Sequence, residues 1–140
     1  MIYGIGTDIC DVRRIQRSVE KFGERFAGKI LTDAELIIWQ QRTNQSSARG
    51  ARYLASRFGA KEALSKALGL GMQMPMTWRN SSIINSATGA PLLQVHAELQ
   101  AWSAERHLVF HVSMSDEADY VVAFCVAEVR TPSVVSLAVR

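Results

Sequence analysis

The chain of 140 residues carries 16 Lys and Arg against 13 Asp and Glu, a formal charge of +3, with 48% hydrophobic and 21% charged residues. That length supports one ordinary core and is short for two domains, and the composition excludes a disordered or fibrous chain. No apolar run reaches membrane-spanning length and no leader-like segment opens the sequence, which predicts a cytoplasmic protein without membrane contact.

From Ile2 to about Cys10 the chain reads as a strand, in which Gly4-Ile5-Gly6-Thr7-Asp8-Ile9 sets a single acid between apolar neighbours. Asp11 is placed to cap a helix. If that helix continues through Gly23, then Val12, Ile15, Val19, Phe22 and Phe26 share one face, and Arg14, Arg17, Lys21 and Arg25 share the opposite one. Arg13, Arg14, Arg17, Lys21, Arg25 and Lys29 outweigh Asp11, Glu20 and Glu24 here, so this segment carries the net excess. Such a basic face is solvated surface, a dock for an acidic protein, or a contact for nucleic acid.

Thr32-Asp33-Ala34-Glu35 has the pattern of a capping box and predicts a second helix to about Arg42. A polar break over Asn44–Ser47 precedes a long helix from about Ala48 to Leu68, stopped by Gly69 and Gly71. Trp78–Asn85 and Leu92–Val95 read as strands joined at Ala87-Thr88-Gly89-Ala90-Pro91, followed by a short helix over Ala97–Glu105 and strands at Leu108–Met114 and Tyr120–Val129. Cys10 and Cys125 stand apart in apolar strands and read as buried, reduced thiols. A tail over residues 131–140 contains the apolar run Val134–Val139, suited to an edge strand or to packing on a partner.

Inside the long helix, Phe58-Gly59-Ala60-Lys61-Glu62-Ala63-Leu64-Ser65-Lys66-Ala67-Leu68-Gly69 sets one carboxylate and two ammonium groups among small and apolar residues. Charges in that setting need partners, so Glu62 and Lys66, spaced i,i+4, face each other, a metal, or an anionic ligand. Near the end, His111-Val112-Ser113-Met114-Ser115-Asp116 reads as a strand finishing in polar groups. These three segments, in this order and at these separations, resemble the holo-acyl-carrier-protein synthase family of phosphopantetheinyl transferases. The resemblance covers nearly the whole chain. It implies an α+β single domain over residues 1–130, with an antiparallel sheet packed against a long central helix, and a homotrimer with sites between subunits.

The same resemblance implies the reaction: the 4′-phosphopantetheine arm of coenzyme A passes to a serine of an acyl carrier protein, releasing 3′,5′-ADP, in the service of fatty acid biosynthesis. It implies Mg²⁺ held by Asp8 and Glu62, a setting of hard oxygen ligands that suits phosphoryl transfer. Lys66 then offsets charge on the departing phosphate, and a metal-bound water or Glu62 takes the serine proton. Arg57, Lys61, Gly69, Gly71, His111 and Ser113 join Lys66 as candidates for holding coenzyme A, with Lys61 reaching either that ligand or the surface. Arg14, Arg17, Lys21 and Arg25 are the expected dock for the acidic carrier protein. Asp116 stands where members alternate between histidine and an acid, which keeps the match, and Ala90 departs from the family pattern, where Gly-Lys-Pro is usual. A basic nucleic-acid module is the rival reading, and it fits poorly because no stacking aromatics accompany the basic face. A magnesium-dependent nucleotide hydrolase is the other.

Overall fold

In the computed structural model, which describes residues 1–131, strand β1 (Ile2–Asp11) runs directly into helix α1 (Val12–Phe22). Asp11 caps that helix, its carboxylate accepting from the Arg13 amide at 2.9 Å. The helix does not continue through Gly23. That glycine has φ of 62°, a left-handed value that a side chain would strain, and α2 (Glu24–Ile30) starts anew beyond it. The break leaves Val12, Ile15, Ala27 and Ile30 in the core but turns Phe22, expected on the core face, out to solvent. The expected tail packing falls on residues 132–140, outside the described residues.

The capping box forms as its spacing demands, with the Thr32 amide donating to Glu35 Oε1 at 3.0 Å. Helix α3 (Asp33–Gln45) runs past Arg42, and the expected polar break shrinks to Ser46, which caps α4 (Ser47–Leu68). Gly69, in the left-handed region at φ 73°, ends that helix. Trp78–Asn80 form a 3₁₀ turn rather than the start of a strand. After it come the hairpin β2 (Ser81–Asn85) and β3 (Pro91–Val95), α5 (Ala97–Glu105), β4 (Leu108–Asp116) and β5 (Tyr120–Val129).

Three strands form an antiparallel sheet in the order β1-β5-β4, with Asp8 opposite Ala123 and Ala123 opposite Met114. Helix α4 lies along one face of it, over small inward residues. A Cβ on Gly4 would overlap the carbonyl oxygen of Ala67, and one on Gly6 that of Ala63, so strand and helix meet at a separation only glycine permits. Cys10 and Cys125 are buried on this face and unbridged. Burial pushes their thiols up to about 11 and about 12, which keeps them protonated and unreactive. The other face of the sheet has no cover among the described residues: Ile5 is 58%, Ile9 67% and Phe124 43% exposed. No helix of the described residues is long and apolar enough to cross a membrane.

Candidate functional site

Helix α4 carries chemistry on two faces. On the face turned to β1, Glu62 and Lys66 sit one turn apart, beside the closest approach of the two backbones. Asp8 reaches this face because it shares the inward parity of Gly6 and Cys10 on β1, and its Oδ2 lies beside Gly59, where a Cβ would sit in ordinary contact at 3.7 Å. The structure therefore brings Asp8, Glu62 and Lys66 together. The i,i+4 pair expected between Glu62 and Lys66 is not the one that forms. Lys66 Nζ donates instead to the carbonyl of Thr7 at 2.9 Å and to Asp8 Oδ1 at 3.3 Å. Burial first, and the neighbouring Asp8 charge second, push the Glu62 carboxyl above the ordinary glutamate value, against the pull of Lys66 and Arg14.

Asp8 and Glu62 lie near enough for one charge to act on the other, with the half-exposed Lys66 ammonium and the Arg14 guanidinium beside them. Among the described residues no group of three or more His, Cys, Asp or Glu converges. Asp8 and Glu62 thus stand as a pair of hard oxygen donors, which suits an ion such as magnesium that keeps several of its waters.

The opposite face of α4 presents Tyr53, Arg57 and Lys61 at four-residue intervals. Lys61, expected to reach coenzyme A or the surface, does neither. It is fully buried, and its three donors go to the carbonyls of Ile30 and Trp78, each at 2.8 Å, and to Glu35 Oε1 at 2.7 Å. The other Glu35 oxygen accepts from the Ile83 amide at 2.9 Å. Every ammonium proton is used inside the protein, so Lys61 ties α2, α3, β2 and α4 together and has none left for a ligand. Arg57 is also buried, with Nε and Nη2 donating to the Ile83 carbonyl at 3.2 and 3.1 Å and Nη1 to Ser56 Oγ at 3.0 Å.

Above Arg57 opens a cavity of about 440 Å³ into which Arg42, Arg49, Arg52 and Arg57 converge. The hairpin turn contributes Gly89 and Pro91, and the end of β4 contributes Ser115 and Asp116. None of the four arginines makes an ion pair among the described residues. Four guanidinium groups against the single carboxylate of Asp116 leave the cavity with an excess of positive charge, and their fixed forks match phosphate oxygens. Sequence reasoning singled out only Arg57 of the four. The clustering of Arg42, Arg49, Arg52 and Arg57 at the α3–α4 junction was a signal, but their convergence depends on how the two helices are joined at Ser46.

The remaining candidates do not meet at either place. His111 and Ser113 lie on the uncovered face of the sheet, where His111 Nε2 pairs with Glu128 Oε1 at 3.0 Å, whereas Asp116 has the opposite parity and reaches the arginine cavity. Gly69 and Gly71 both have positive φ and close the far end of α4, with the Gly71 amide on the Ser65 carbonyl at 3.3 Å. They lie about 18 Å along the helix from Arg57 at 1.5 Å per residue. Arg14, Arg17, Lys21 and Arg25 all stand exposed on α1 and α2 as expected. Beside them a hollow of about 410 Å³ is lined by Phe22, Phe26, Arg25 and Lys29.

The family profile described as the 4′-phosphopantetheinyl transferase superfamily matches residues 4–125. A holo-acyl-carrier-protein synthase of a Polaromonas species is 56% identical over 128 residues, covering 91% of this chain and 97% of that protein. The crystal structure of the holo-acyl-carrier-protein synthase of Neisseria meningitidis superposes with a TM-score of 0.84 at 45% identity, over 91% of this chain and 99% of that one. A Bacillus anthracis holo-acyl-carrier-protein synthase in complex with coenzyme A (3′,5′-ADP) gives a TM-score of 0.76 at 31% identity, over 93% and 99% of the two chains.

The raised carboxyl of Glu62 has a measurable sign. A group whose folded pKa lies above its unfolded value stabilises the fold below the unfolded pKa, and that contribution is lost as pH rises through the folded value. Glu62→Gln, which stays uncharged, should therefore raise the melting temperature of the protein in chelator at pH 7. The advantage should vanish as pH falls to about 4, near the ordinary glutamate value. Thermal melts of both proteins across that range check it; an equal or lower melting temperature for the variant at pH 7 contradicts the cost of keeping a half-buried Glu62 ionised beside Asp8.

Proposed function

The chain belongs to the holo-acyl-carrier-protein synthase family within the 4′-phosphopantetheinyl transferase superfamily, and from that membership we propose how its own residues carry the transfer. The serine oxygen of an apo acyl carrier protein attacks the phosphorus that bears the pantetheine arm. The bond from that phosphorus to the bridging oxygen breaks, and 3′,5′-ADP leaves with the electron pair. The clustering of Asp8, Glu62 and Lys66 at the contact of β1 and α4 carries this reading. Asp8 and Glu62 would hold Mg²⁺, whose charge there would neutralise the pyrophosphate oxygens and fix them for in-line attack. Lys66, already free on its solvent side, offsets the charge that builds on the departing phosphate. Either Glu62 or a water held by the metal would take the serine proton.

The arginine cavity is the natural seat of the nucleotide end, because 3′,5′-ADP brings the anionic phosphates that four unpaired guanidinium groups call for. Ala90 in the hairpin turn removes the lysine usual in the family, and the arginines of α3 and α4 supply positive charge on the facing wall. The uncovered sheet face, with Ile5, Ile9, Val122 and Phe124 exposed together, supports assembly of three copies around it, so that sites form between subunits. The basic flank of α1 and α2 suits the acidic carrier protein, with exposed Phe22 offering an apolar contact. The product serves fatty acid synthesis in the cytoplasm on this reading.

Incubation with coenzyme A, Mg²⁺ and an apo carrier protein should add the mass of one phosphopantetheine arm to the carrier. Glu62→Gln, or excess chelator on the wild type, should slow this by several orders of magnitude while far-ultraviolet dichroism stays intact. Near-normal turnover by a folded Glu62→Gln protein would remove Glu62 from the site. For the docking flank, Arg17→Glu should raise KM for the carrier protein about tenfold, more at low salt, and leave KM for coenzyme A nearly unchanged. Equal effects on both substrates would reject that surface. For the assembly, Phe124→Asp should sediment as a monomer and lose transfer; a trimeric or fully active variant would place the subunit contact elsewhere.

A further inference from the structure

The four arginines of the cavity are not equally supported from below. Tyr53, on α4 one turn before Arg57, is 3% exposed, and its ring lies under two of them: the guanidinium carbon of Arg57 is 4.2 Å from the ring centroid and that of Arg42 is 5.4 Å. These two arginines come from different helices, and this one ring is common to both. The Tyr53 hydroxyl is buried, and burial pushes it above the ordinary phenol value against the pull of the Arg57 and Arg42 guanidinium charges. Arg57 is tethered further by Ile83 and Ser56, which occupy three of its five N–H groups and leave two for a ligand.

We propose that Tyr53 is a positioning residue of the nucleotide pocket: its aromatic face holds the Arg42 and Arg57 guanidinium groups by cation–π contact so that both address the same phosphate-bearing ligand. This rests on the reading of the cavity as the seat of 3′,5′-ADP. The physical reason is preorganisation. Arginine has many rotamers, like charges repel, and two guanidinium groups in one cavity would separate into solvent unless something attractive to both lay between them and the core. The ring's negative face supplies that attraction without neutralising either charge, as a carboxylate would, so the excess of positive charge over the one carboxylate of Asp116 is kept for the ligand. A leucine or methionine could fill the same volume. It could not hold the charges.

Calorimetric binding of adenosine 3′,5′-bisphosphate tests this, together with steady-state kinetics. Tyr53→Met, which keeps bulk and apolarity, should weaken binding about tenfold, in line with losing two such contacts. The loss should fall on KM for coenzyme A and spare kcat, and Tyr53→Phe, which keeps the ring, should recover most of the affinity. If Tyr53→Met lowers melting temperature alone while binding stays within about twofold, Tyr53 is a packing residue and the proposal fails. Should Tyr53→Met not fold, Arg42→Gln leaves the ring in place and should weaken binding several-fold; unchanged affinity there overturns the proposal equally. Arg49→Ala separates the two claims. If it leaves binding of the bisphosphate unchanged, the cavity is not the nucleotide seat; if it weakens binding and the Tyr53→Met and Arg42→Gln proteins do not, only the role of Tyr53 is lost.

Discussion

The contact between β1 and α4 sets which charged groups of this protein meet. Backbone meets backbone where Gly4 and Gly6 lie on the carbonyls of Ala67 and Ala63, and any side chain on either glycine would force the helix off the strand. At that separation an acid on the inward face of β1 cannot avoid an acid on the adjoining turn of α4. Asp8 and Glu62 are thereby held as a strained pair, with Lys66 bridging back to the strand. Close packing of neutral residues is what concentrates the charge.

Holding that contact requires the other side of α4 to be fixed as firmly. The buried Lys61–Glu35 pair does so. Removing water from two charges is costly, and an ion pair in the interior is tolerated only when its other valences are filled. Here they are: three acceptors surround the ammonium, and the carboxylate accepts from the backbone of the α2–α3 turn and of β2. Deleting one partner of such a pair leaves a bare buried charge, a loss of about 3–5 kcal/mol in comparable cases. Glu35 does double work, closing the capping box of α3 with one oxygen while receiving Lys61 on the same atom. The same face of α4 continues upward through Arg57 to Tyr53, so that the structural anchor and the floor of the arginine cavity form one column of side chains. Helix α4 thus carries an acidic locus on one side and a basic one on the other.

Much of this was legible in the sequence because the signals were local. The cap at Asp11, the capping box at Thr32–Glu35, the stop at Gly69 and the helix over Ala97–Glu105 each follow from a few neighbouring residues, and all form as read. So does the joining of Asp8 to the Glu62–Lys66 turn, which the family pattern implied. The local readings that failed did so for physical reasons. One helix was expected through Gly23, since periodicity alone does not report that a glycine takes the left-handed conformation and restarts the helix. Trp78–Asn80, rich in bulky side chains, read as strand, yet they form a 3₁₀ turn whose Trp78 carbonyl accepts from Lys61.

What the sequence by itself determined is therefore the order and kind of the elements, the family, and the identity of the residues that bear charge. Which charges meet was decided only by the tertiary structure. Lys61 and Glu62 are adjacent in the chain, and nothing local says that one turns inward to Glu35, 26 positions away, while the other turns to the strand at Asp8. Likewise Lys66 selects Asp8 over its helical neighbour, and four arginines from two helices line one cavity, two of them over one tyrosine. A helix sends successive side chains out about 100° apart, so the direction of each follows from its position, but what stands in that direction belongs to segments distant in sequence.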